Sequence, residues 1–310
     1  MRESILFFAA SGSEPSRPGS LPLAAKRKKL FRLDTPSPSW RGGRGVRSLL
    51  LLALLLLATP AFAQQQPKPQ QLPANDDSTV LFRGLLHFHK IQPEAATNLR
   101  PNYDYSNLIV VVYGDPQSQD VRNYCRRTLS GGGAVLIAAD TQMSVSGYFP
   151  EPGNVKIVGG RVSFDKGALV DSGLPNRPIV FPMPNVAAGP FSGIERLATN
   201  DPSYLLSPNP PPSIPLKPVA AFPPGANVTT PTGLPDRGAG ILPLAFAVAS
   251  DDRQSVRCMV LADPDVFSNR MIYTSGREQN PTDNLRFANN TVQWLQGNGR
   301  TKCLFIEHGN

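Results

Sequence analysis

The sequence predicts an α/β protein built as a three-layer, flavodoxin-like, doubly wound and mostly parallel sheet with a long proline-rich insertion. Two observations carry that prediction. Residues 107–113 (NLIVVVY), 134–139 (AVLIAA), 256–262 (VRCMVLA) and 303–306 (CLFI) are short, apolar, β-branched runs, of the kind that fills parallel strands buried on both faces. The segments between them carry helix punctuation in the order that a βαβ unit requires.

The first unit opens with the 107–113 strand. Asp115-Pro116 follows, with the acid as helix N-cap and Pro at the first helical position. A polar helix over about 117–129 stops at Gly131-Gly132-Gly133, and the 134–139 strand follows. A second unit begins with the 256–262 strand and Asp263-Pro264, again a cap. Asp283 caps a helix over 284–296 whose Leu285, Ala288, Val292 and Leu295 share one face. Gly297 and Gly299 close it before the strand at 303–306. Right-handed crossovers would place these strands in one sheet, with Cys258 and Cys303 on neighbouring strands. Between the units, residues 208–235 hold ten prolines and read as an irregular excursion with a strand at 219–222. Residues 241–250 read as an antiparallel strand.

The N-terminal part is organised differently. Ten of the 31 Lys and Arg residues and three of the 23 Asp and Glu residues lie in 1–63, which leaves +7 there and +1 in the rest. The body has no excess positive charge to neutralise phosphates, which argues against nucleic acid as a partner. The apolar run at 48–58 precedes Ala61-Phe62-Ala63, so 46–63 reads as a secretory signal cut after Ala63, with Ala61 and Ala63 as the cleavage-site residues. Residues 1–45 read as an untranslated or disordered leader, initiation being placed at Val46. Residues 64–77 (QQQPKPQQLPANDD) read as a flexible tether, and 78–310 as a single α/β domain. Export to the periplasm or cell envelope follows, with membrane contact only through an uncleaved leader or a partner.

Few residues carry chemistry. The glycines at 131–133 precede a strand, whereas a phosphate or dinucleotide loop needs them after one, so no cofactor is expected. His87 and His89 form an H-x-H pair. On a strand both rings would share a face, and with His308 they make a zinc set possible in principle, but a half-buried strand pair is the favoured reading and no metal is assigned. The three cysteines read as buried free thiols. Four strands are each followed by an acid: Asp115, Asp140, Asp263 and Glu307. In a parallel sheet these line one edge, where open α/β sheets bind ligands. Asp115, Asp263 and Asp283 are assigned to capping. Asp265, Asn269, Glu307 and His308 are the binding candidates, and as such Glu307 and His308 should be dispensable for stability.

The run Val260-Leu261-Ala262-Asp263-Pro264-Asp265-Val266-Phe267-Ser268-Asn269, then 283–290 and Trp294-Leu295, resembles a "GDSDF-SN" loop followed by an "N-x-x-F-x-x-N" helix and a W-L pair. That pattern marks auxiliary domains of gliding-motility-type ABC transporters and a related domain-of-unknown-function family. Gly299-Arg300 and the ending at 305–309 are similar to that family's "vvFDE-hHG" close. The pattern departs at Ala262, usually Gly, and Pro264, usually Ser. The resemblance covers roughly 107–140 and 256–309. It implies a class I glutamine amidotransferase-like fold in a cell-envelope setting, and family members continue past the position where this chain ends, which raises truncation at Asn310. Amidotransferase chemistry is not implied, because it needs a cysteine in a G-x-C-x-G elbow and the corresponding strand ends Ala138-Ala139-Asp140. The reading is therefore a non-catalytic binding or assembly module with an envelope protein partner. The alternative is an envelope hydrolase or metal-dependent enzyme using the carboxyl edge of the sheet.

Overall fold

The computed structural model describes residues 77–114, 118–150, 155–165, 169–183, 189–206, 216–231, 235–236, 242–249, 257–274, 281–297 and 299–307. In chain order the elements are α1 (Val80–Phe88), β1 (Gln92–Pro93), β2 (Leu108–Tyr113), α2 (Gln119–Ser130), β3 (Ala134–Ala138), β4 (Met143–Ser144), β5 (Lys156–Ile157), β6 (Arg161–Ser163), β7 (Ile179–Pro182) and β8 (Leu197–Ala198). There follow β9 (Leu205–Leu206), β10 (Lys217–Phe222), β11 (Asn227–Thr229), β12 (Pro235–Asp236), β13 (Leu242–Ala249), β14 (Arg257–Leu261), α3 (Asn269–Thr274), α4 (Asn284–Gln296) and β15 (Lys302–Glu307).

The protein is mixed α/β around five parallel strands in the order β1-β15-β2-β3-β14. The apolar runs form their centre because both faces are covered: Leu108–Val112 and Ala134–Ala138 are at most 1% exposed. The sheet is less parallel than the sequence predicts. Beyond β14 it continues through β13, β10, β7 and β8, each antiparallel to its neighbour. The long connection from β3 to β14 supplies these strands and two small antiparallel sheets, β12-β11-β6 and β4-β5-β9. Part of the proline-rich stretch is thus sheet. Pro218 lies inside β10, and the pairing with β13 shifts register just beyond it, as a residue without an N–H requires.

Two arginines brace the opposite, amino-terminal edge. Arg300, 5% exposed, donates to Leu295 O in the last turn of α4 and to Gly132 O beyond α2. Arg257 donates to Trp294 O and lies over the Trp294 ring. Guanidinium groups on C-terminal carbonyls satisfy acceptors that the helix itself cannot. Burial, with Arg257 nearby, pushes the Arg300 guanidinium down to about 10.

Three expectations change. His87 and His89 are not on a strand: His87 lies in the last turn of α1 and His89 is its C-cap, with Nε2 2.8 Å from Asn289 Oδ1. A period of four, Phe82 and Leu86 into the core, makes this segment helical. Cys258 and Cys303 are not on neighbouring strands, because the crossover after β14 passes β3 and β2 and lands beyond β2. Their strands are three spacings apart, about 14 Å. The side chain capping α2 is Ser118, whose Oγ accepts from Asp120 N at 3.2 Å. The helix starts two residues later than expected, and Asp115 lies outside the described residues.

Candidate functional site

The carboxyl ends of β2, β3, β14 and β15 bring Tyr113, Asp140, Asp263 and Glu307 to one edge. Asp263 is its most constrained group. With 0% exposure, its Oδ1 accepts from Asp265 N at 2.9 Å and its Oδ2 from Asn200 N at 2.9 Å. The first bond caps the short 3-10 helix Pro264–Phe267, with Pro264 at its start. The second ties the loop after β8 to the end of β14. Burial raises the Asp263 carboxyl well above the usual carboxylate range, Asp265 adds to this, and the two N–H donors only partly oppose it.

Asp265 is raised in the same direction, chiefly by burial. Its Oδ2 accepts from Asn200 Nδ2 at 2.7 Å, and its other oxygen has no hydrogen-bond partner among the described residues. The Tyr113 hydroxyl is held far from ionisation by burial and then by Asp265, Asp263 and Glu307. Asp140 pairs with Arg161 at 2.5 Å, and the same guanidinium donates to Asp201 O.

The other candidates hold α1 down. Asn269, 1% exposed, accepts from Leu81 N at 2.8 Å through Oδ1 and donates to Ser78 Oγ at 2.9 Å through Nδ2. Its own N–H donates to Ser78 O. Thr79, at the N-cap position of α1, makes no side-chain cap, so Asn269 satisfies an orphan N–H of that helix from across the fold. The Thr79 hydroxyl donates instead to Glu307 Oε1 at 3.1 Å and accepts from Arg83 Nε. Arg83 closes the group with a 2.5 Å ion pair to Glu307, its guanidinium 4.3 Å from the centre of the Phe305 ring. Glu307 therefore has partners within the fold, Thr79 and Arg83.

The candidates do not converge. Asp265 and Asn269 lie after β14, and Glu307 lies on the far side of β3 and β2. Segment 78–83 bridges Asn269 to Glu307. His308, Ala61 and Ala63 lie outside the described residues. Asp283 stands at the N-cap of α4 but does not cap it with its side chain. Its Oδ2 accepts from Glu195 N and Arg196 N, at 2.8 and 3.2 Å, so the loop before β8 takes the carboxylate. Asn200, Thr79 and Arg83 went unnoticed in the sequence, where nothing local marks them.

Among the described residues no group of three metal-ligating side chains is assembled. All three thiols are free and buried: Cys125 and Cys258 are 0% and Cys303 3% exposed. Burial pushes Cys258 and Cys303 up to about 12, and burial, with Cys258 contributing, raises Cys125 well above its ordinary value. No helix among the described residues is long and apolar enough to cross a membrane. No family model, curated protein or solved structure matches the chain.

Proposed function

We propose that this chain is an exported, non-catalytic binding or assembly module of the bacterial cell envelope, with the class I glutamine amidotransferase-like fold that its sequence motifs resemble. The observation that carries the reading is the state of the thiols. An amidotransferase cysteine works as an accessible thiolate at a strand-end elbow, whereas Cys125, Cys258 and Cys303 are buried and held protonated. The side chains of Asn269 and Glu307, at the edge where a ligand would enter, bind the chain's own helix. Asp265 has one oxygen without a hydrogen-bond partner among the described residues and is the contact residue we favour.

Opposed crossovers support the doubly wound, three-layer arrangement. The chain moves from β2 to β3 through α2, and from β14 back past them to β15 through α4. Two right-handed crossovers in opposite directions put their helices on opposite faces. The enzyme reading draws on the raised pKa values of Asp263 and Asp265, a common feature of catalytic sites. Asp263 has no exposed surface, which favours the structural role.

Two measurements test the proposal. Purified protein should release no ammonia from glutamine, and its thiols should react with a disulfide reagent only on unfolding. Glutaminase activity lost on substituting Cys125, Cys258 or Cys303 would overturn the reading. In cells, the precursor should be processed to an N-terminus at Gln64, and Ala63→Arg should block that processing. An unprocessed chain retained in the cytoplasm would remove the envelope setting.

A further inference from the structure

The sheet is unevenly finished at its β1 end. Strand β1 pairs with β15 only at Lys302 and Cys303. Gln92 N donates to Thr301 O and Glu94 N to Cys303 O, so Pro93 between them faces away from β15. There it forfeits no ladder bond and blocks strand addition to the outer side of β1. The chain then leaves the sheet for a 3-10 turn at Ala96–Asn98, and β15 runs on for four residues. Backbone groups alternate in direction along a strand. Thr301 and Cys303 face β1, so Phe305 and Glu307 point to the side that β1 vacates. Among the described residues no backbone group pairs with them there. Phe305 and Ile306 are half-buried, whereas Val111 and Val112 beside them in β2 are at most 1% exposed.

A hollow of about 130 Å³ lies against this open edge, lined by Leu86, Ile91, Pro93, Cys303 and Phe305, with Arg83 and His87 completing it. It is close to the cavity of about 150 Å³ that holds a benzene ring, so it takes one aliphatic or phenyl side chain. The exposed charge beside it is basic: Lys90 is exposed, and the Arg83 side chain is 43% exposed against 25% for its partner Glu307. Of the nearby acids, Glu307 is paired with Arg83, and Glu94 is engaged by Asn98, Tyr103 and Lys302, whose side chain lies on the opposite face of β15 from Cys303 and Phe305.

We propose that the open half of the β15 edge docks an extended segment of a partner protein, which adds as a strand beside Phe305–Glu307. It seats one apolar side chain in the hollow and presents an acidic residue two positions along, on the same face. The unpaired backbone identifies the occupant as extended peptide, the hollow selects one side chain and the basic rim selects its neighbour, the division of labour seen in strand addition. This deepens the binding-module reading and rests on it.

The test uses acetylated, amidated pentapeptides of the pattern Thr-X-Thr-Glu-Thr, with X as Leu, Ile, Met or Phe, titrated into the protein while backbone amides are followed by NMR and hydrogen exchange. At least one peptide should bind and protect the Phe305 and Glu307 amides. N-methylation of its strand-pairing amide should weaken binding about tenfold. X as Gly should weaken it at least as much, and His87→Glu about three- to fivefold. Binding that protects other amides, or that survives N-methylation, overturns the edge site and leaves the module reading standing. No binding by any peptide at about 1 mM also overturns the edge site. The module reading is judged separately, by photo-cross-linking in cells from Leu285, an exposed residue of α4, and from His87. Cross-links from Leu285 alone would sustain the module without the edge, and none from either position would count against both.

Discussion

Asp263→Ala is expected to lower the free energy of unfolding by about 3 kcal/mol. The substitution removes the cap of the 264–267 turn and strands two backbone donors, Asp265 N and Asn200 N, in a place where the carboxylate is fully buried. Urea titration measures the loss, and a change below about 0.5 kcal/mol would show the cap to be incidental. Asp263→Asn separates shape from charge. Because burial raises the Asp263 carboxyl, the folded protein binds that proton more tightly than the unfolded chain. Its stabilising contribution is complete below the unfolded value of about 3.9 and is lost as pH rises towards the raised folded value. The asparagine variant should therefore show a flatter dependence of stability on pH than the native protein above pH 4. An unchanged slope would assign the proton to another group.

Gly133→Ala should be at least as damaging, about 3 kcal/mol or more. A Cβ there would lie 2.4 Å from Tyr105 O, 2.5 Å from Thr128 Cγ2 and 2.7 Å from Leu108 O. Two of these are backbone atoms leading into and beginning β2, so relief requires the central parallel strands to part. Gly84→Ala in α1 is the control. A Cβ at Gly84 meets nothing within 4 Å, and the helix should gain up to about 1 kcal/mol. Equal losses at the two positions would mean that the close approach at Gly133 does not govern the effect.

These residues also mark what sequence reading reaches. The strands at β2, β3, β14 and β15 were visible because burial on both faces demands uninterrupted apolar runs. Helix α4 was visible because its apolar residues repeat at helical spacing and Gly297 ends them. Helix α1, VLFRGLLHF, is nine residues long and marks its polar face with only two side chains, Arg83 and His87, too few to stand out against the alternation of His87 and His89. Strand β1 is two residues long, too short to have a period. The order of strands was hidden for a different reason, since neighbours in a parallel sheet need not be neighbours in the chain. That is why Cys258 and Cys303 were misplaced.

The candidate site was legible only at its local parts. Asp263-Pro264 carries its own capping pattern, and the structure places a cap there. Asn269 and Glu307 find their partners 188 and 224 residues away, in Leu81 and Arg83, and no short-range pattern encodes such pairs. Reading them as free binding groups was reasonable from position at the carboxyl edge. What position could not reveal was that segment 78–83 occupies that edge.

We propose that this edge serves the fold, with Asn269 clamping α1. The most direct measurement is native-state hydrogen exchange at the Leu81 amide in the native protein and in Asn269→Ala, with no ligand added. Removing the acceptor 2.8 Å from Leu81 N should lower protection of that amide at least tenfold, and urea unfolding should show a loss of about 2 kcal/mol. Unchanged protection and unchanged stability in Asn269→Ala would contradict the account and return Asn269 to the binding residues.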